Sequence, residues 1–133
     1  MERYEIGFML SEMRGDAKRT KNLGSHAIIS IESGRSSYPV ANLVTYCNDY
    51  SITFNIVKRR PTKRYAIRTI DDIHEAIREL MELKNVNLNH LRMAINSDLS
   101  TKKIGKNIPI SIDTLISVLD YFECELEFIK TVK

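Results

Sequence analysis

Tryptophan is missing from this chain, and cysteine, proline and glycine are scarce, at two, three and five residues. Two cysteines make no disulfide framework. Cys47 and Cys124 both sit in apolar segments, so buried free thiols in a reducing cytosol are expected. The five glycines form no phosphate-cradling loop and no Gly-x-Ser-x-Gly elbow. No apolar run approaches the roughly 18–20 residues that cross a bilayer. The start, MERYEIGFMLSEMRG, is too acidic and too interrupted for a secretion signal. His26, His74 and His90 are scattered, and neither cysteine has a second ligand at metal spacing. These absences point away from a membrane protein, a metal site, a cofactor and an enzyme. They leave a cytoplasmic globular protein of one ordinary domain or two small ones.

What is present is an uneven charge. Arg14 to Arg68 holds eleven lysines or arginines against Asp16, Glu32 and Asp49, a local charge of +8 in a chain of net +3. The stretch ends in KRRPTKR, residues 58–64. A concentrated basic region suits a polyanionic partner. Pro61 and the charge density argue against a central strand or helix there. The two acidic pairs have plain explanations: Asp71 and Asp72 suit a helix N-terminus, and Glu125 and Glu127 the solvent face of a strand.

The apolar pattern occurs twice. Ile6, Met9, Leu10 and Met13 share one helical face, and Ile73, Ala76, Ile77 and Leu80 repeat it 67 residues on. Val40, Leu43, Val44 and Cys47 are followed 75 residues on by Leu115, Val118, Leu119 and Phe122. Pro39 suits the first turn of the earlier helix and Ser111 the N-cap of the later one. Alternating segments follow, with Tyr50, Ile52, Phe54 and Ile56 to one side of a strand at 50–57. Cys124, Leu126 and Phe128 do the same at 124–130. The chain therefore reads as mainly α with short β-strands. It divides into a first unit with its strand (1–57), a basic linker (58–68) and a second unit with its strand (69–133). The two offsets imply eight extra residues in the middle of the second copy. The strands need partners, either each other or a second chain.

Between the helices of the first copy stands GSHAIISIESGRSSYPVANL. Ile31, Glu32, Gly34, Arg35, Pro39 and Leu43 resemble the phage-repressor/Cro-like, or xenobiotic-response-element, helix-turn-helix family. In that family a recognition helix ends in Ile-Glu-x-Gly-(Arg/Lys), and a polar loop leads to the next helix. KKIGKNIPISIDTLISVLDYFECELEF is a weaker second version. The resemblance implies two lambda-repressor-like helical units, each followed by a strand. It implies a sequence-specific regulator bound to double-stranded DNA, and two-fold operators would match a homodimer.

Under that resemblance a recognition helix begins near Ser25, with Ser25, His26 and Ser30 outward and Ile28 and Ile31 toward the core. Gly34 stops the helix, and Arg35, Ser36 and Ser37 lie on phosphates. Ile6 to Leu43 spans 37 residues against 42 from Ile73 to Leu115. The shortfall falls in RGDAKRTKNLG, where Arg14, Lys18, Arg19 and Lys21 become backbone contacts. Lys58, Arg59, Arg60, Lys63 and Arg64 add basic loop contacts. In the second unit NLNHLRMAI forms a sound helix with Asn87 as cap. Ser97, Ser100, Thr101, Lys102, Lys103 and Lys106 then face DNA. The alternative is a degenerate helix-turn-helix fold kept as a dimerisation or protein-interaction module, with little or no DNA binding.

Overall fold

A computed structural model describes residues 1–18, 22–95 and 110–130. It is mainly helical, with one small antiparallel sheet. The elements run α1 (Arg3–Arg14), α2 (Ser25–Ser33), α3 (Val40–Asp49), β1 (Ile52–Lys58), β2 (Lys63–Ala66), α4 (Ile70–Leu83), α5 (Leu88–Ile95), α6 (Ile112–Tyr121) and β3 (Cys124–Lys130). The sheet order is β2-β1-β3.

Local chemistry sets these boundaries. Thr69 and Asp72 form a capping box at the start of α4, each side chain accepting from the other's backbone N–H. Asn87 accepts from His90 N at 2.9 Å, and Ser111 accepts from Thr114 N at 3.2 Å. Gly34 ends α2 at φ 66°, a left-handed conformation that suits a residue without Cβ. Gly7 does a different job, because it lets α1 and α2 touch backbone to backbone. A Cβ there would lie 2.5 Å from the Ile31 carbonyl oxygen and closer still to that of Glu32.

An approximate two-fold axis runs through the molecule. The helices α3 and α6 both span ten residues, and the strands β1 and β3 both span seven, with a constant offset of 72. Ser51 and Glu123, which join helix to strand in each half, both take positive φ, at 56° and 57°. Val40 N donates to Ile110 O and Ile112 N donates to Tyr38 O, both at 2.9 Å, around a bridge between Pro39 and Ser111. β1 and β3 pair from Ile52–Lys130 to Lys58–Cys124, centred on Asn55 and Glu127. The axis therefore passes through the Pro39–Ser111 bridge and through the Asn55–Glu127 pair.

This geometry corrects the 75-residue offset expected from the later helices. A slide of three residues is close to one helical turn, so apolar periodicity alone barely separates 72 from 75. The second copy is longer by five residues in its middle, not eight. The segment read as a basic linker also gains structure. It carries the end of β1 and the edge strand β2, with Pro61 in the connecting turn.

One core spans both halves. Ile6, Leu10, Ile28, Ile31 and Leu43 meet Ile73, Ile77, Leu80, Leu91, Leu115 and Val118 in a continuous buried cluster. Phe54 and Phe128 face each other across the sheet with ring centres 5.0 Å apart. Cys47 and Cys124 are buried free thiols, as expected, and burial pushes Cys47 up to about 12. The two trailing strands pair with each other, with β1 central and β3 at an edge of the sheet.

Candidate nucleic-acid interface

The helix α2 presents its residues as the sequence suggested. Ile28 and Ile31 are fully buried, Ser25 and His26 are exposed, and Ser30 is half-buried. Beyond Gly34 the chain exposes Arg35, Ser36 and Ser37 before Tyr38 re-enters the core. The two ends of this surface are roughly 13 Å apart along a nine-residue helix, by the rise of 1.5 Å per residue. The loop leads directly to Pro39 on the two-fold axis.

Arg14 is paired within the chain, against the last turn of α2. Its guanidinium holds Glu32 through two bonds, 2.6 Å from Nε and 2.9 Å from Nη2, and its Nη1 donates to Ala17 O at 2.9 Å. The Tyr46 hydroxyl donates to the same carboxylate at 2.5 Å. The bond to Glu32 holds Arg14 protonated well beyond its ordinary range. Burial, then the bond to Glu32, raises the Tyr46 phenol and keeps it neutral. These groups tie α1, α2 and α3 together. Sequence reading placed Arg14 on the DNA backbone and gave Glu32 no partner. Lys18 is exposed on the loop after α1.

The basic hairpin is brought together but is not bare. Arg59 meets Glu125 at 2.7 Å, Lys63 meets Glu79 at 2.9 Å, and Arg64 meets Glu127 at 3.1 Å. Glu127 also accepts from Asn55 Nδ2 at 2.9 Å. Lys63 lies 5.0 Å from the ring centre of Tyr65. Arg60 is exposed and Lys58 half-buried. Every ion pair of this hairpin is made with α4 or β3, in the second half, whereas Arg35 follows a helix packed on α1. Part of the charge of the +8 stretch is therefore offset by carboxylates within the chain. Glu125 and Glu127 were visible in the sequence as the polar positions of an alternating strand, and Glu79 as an outer residue of α4. Their pairing with arginines followed only from the β2-β1-β3 order.

Arg19, Lys21, Ser97, Ser100, Thr101, Lys102, Lys103 and Lys106 lie outside the described residues. Among the described residues, no cluster of histidine, cysteine or carboxylate side chains could hold a metal ion. No helix among them is long and apolar enough to cross a membrane. No family model matches the chain, and neither do any curated protein or any solved structure at a significant level.

Proposed function

We propose that this protein is a DNA-binding transcriptional regulator of the phage-repressor/Cro-like type, in which one chain carries both lambda-repressor-like units of a two-fold binder. The observation that carries the proposal is α2. It is a short helix backed by Ile28 and Ile31, with Ser25 and His26 outward at its start. A left-handed glycine closes it, and Arg35, Ser36 and Ser37 follow. Outward residues at the start of such a helix suit the edges of bases in a major groove. Exposed Arg and Ser in the following loop suit phosphate oxygens. The internal axis beside this loop matches the two-fold symmetry of duplex DNA without a homodimer.

The test is fluorescence anisotropy with duplex DNA across a salt series, on a random pool and on sequences selected from it. Binding should weaken linearly in log–log form as salt rises. Arg35→Ala should reduce the salt slope by about one and weaken all sequences alike. His26→Ala should weaken selected sequences more than the pool. Arg59→Ala should change the slope little, because Glu125 already neutralises that side chain. A flat salt dependence for the full chain rules the proposal out.

A second reading has its own observation. Arg14, Arg59, Lys63 and Arg64 all bind carboxylates within the chain. A surface neutralised in this way favours an interaction module that has kept the fold and lost much of its pull on polyanions.

A further inference from the structure

The outer face of α1 does not fit a helix that only covers a core. Tyr4 and Phe8 are 59% and 68% exposed, one helical turn apart. With Met9, Met13, Ser11 and the end of α2 they line a groove of about 820 Å³. The internal duplication supplies a built-in comparison. At the 67-residue offset that superimposes α1 on α4, Ile6 falls on Ile73 and Leu10 on Ile77, all buried. Tyr4 and Phe8 fall on Asp71 and Glu75, both exposed. The fold thus accepts acidic residues at these two positions in one half and shows large aromatics in the other. The aromatic pair is not required by packing. Contiguous exposed apolar surface of this kind marks a binding site more often than chance exposure.

Charge selects the occupant. Glu5 and Glu12 line the groove. On the other flank of α1, Glu5 shares a second hollow with Asp120 and Glu123. Two nearby cations are committed inside the chain, Arg3 to Asp113 and Arg14 to Glu32, and Arg35 lies beyond the Ser33 end of the groove, away from Glu12. A second copy docked about a two-fold axis through the groove would bring the acidic residues of one copy toward those of the other, with like charges facing. A polyanion would meet the same repulsion. We infer that the groove along α1 receives a basic amphipathic helix of a partner protein. Its apolar side would pack on Tyr4, Phe8, Met9 and Met13, and its lysines or arginines would face Glu5 and Glu12. Aromatic anchors give such a contact most of its strength, and the two methionines adapt to the shape of the incoming side chains.

The surface lies on α1 and does not rest on the DNA-binding proposal. Its test is therefore separate: titration of the full chain into a fluorescein-labelled 18-residue Leu/Lys peptide patterned as an amphipathic helix. A Leu/Glu peptide of the same pattern is the comparison. The Leu/Lys peptide should bind saturably and the Leu/Glu peptide at least tenfold more weakly. Tyr4→Ser with Phe8→Ser should weaken binding about tenfold or more. Glu5→Gln with Glu12→Gln should weaken it severalfold and reduce its salt dependence. His26→Ala should leave it unchanged. All these positions are exposed, so thermal melts should show the variants folded, and the two pairs test the site by independent chemistry. Equal binding of the Leu/Glu peptide overturns the inference, and so does an unaltered affinity in the Tyr4/Phe8 variant. Sedimentation showing a dimer that dissociates on Phe8→Ser would also overturn it and assign the face to a second copy.

Discussion

Arg14 and Glu32 are joined by a forked pair of hydrogen bonds, and both side chains are more than four-fifths shielded from water. The pair links the last turn of α1 to the last turns of α2, and Tyr46 adds a third bond from α3. Such a pair is costly to break from one side, because the remaining charge stays shielded without its partner. Glu32→Ala and Arg14→Ala should each destabilise the fold by roughly 2–4 kcal/mol. Tyr46→Phe should cost about 1 kcal/mol. Urea unfolding followed by circular dichroism checks all three. An Arg14 variant as stable as wild type would return that residue to the pool of available cations.

Gly7 should be intolerant of the smallest side chain. Alanine is the better helix former by about 1 kcal/mol, so propensity alone favours Gly7→Ala. The predicted contact with the carbonyls of Ile31 and Glu32 works in the opposite direction. Overpacking of this kind costs roughly 1–3 kcal/mol and should win. Gly24 has open space around the corresponding position and caps α2, so Gly24→Ser should be neutral or slightly stabilising. Thermal melts of the two variants side by side give the comparison.

Acid should loosen the sheet edge first. The neighbouring Tyr65 hydroxyl and the Lys63 ammonium hold Glu79 below its ordinary value of 4.5, and Arg64 and Asn55 hold Glu127 below it. A carboxylate depressed in the folded state contributes stability that is complete above the unfolded value. That stability is lost as pH falls through the folded value. Stability should therefore be level with respect to these groups above about pH 5 and fall below 4.5. Glu79→Gln with Glu127→Gln should lower stability at neutral pH and flatten the acid side of the curve. Unfolding curves at pH 7, 4.5 and 3 measure it.

Much of the architecture was legible because the core pattern is strong. Ile6, Leu10, Ile73 and Ile77 placed both leading helices, and the alternation at 124–130 gave β3 to the residue. Counting from Leu43 to Leu115 already gives the true offset of 72. Matching whole apolar faces gave 75, because a face recurs nearly every turn. The hairpin at 58–66 was hidden by its charge, since lysines and arginines on an edge strand look like a solvated linker until their carboxylate partners are adjacent. For the candidate site, the outward and inward faces of α2 were readable from Ile28 and Ile31 alone. The commitment of Arg14, Arg59, Lys63 and Arg64 was not, because each partner lies at least 16 residues away in sequence.

The axis through Pro39 and Asn55 has an evolutionary consequence. In a dimer of identical chains, every substitution is written twice, so neither side can change alone. Here the related halves are encoded separately and tethered. One has the shorter middle and carries tyrosine and phenylalanine on its first helix, while the other has the longer middle and carries acids at the matching places. Divergence of this kind lets a symmetric scaffold hold two different surfaces, and the halves meet at the same effective concentration however dilute the cell keeps the chain.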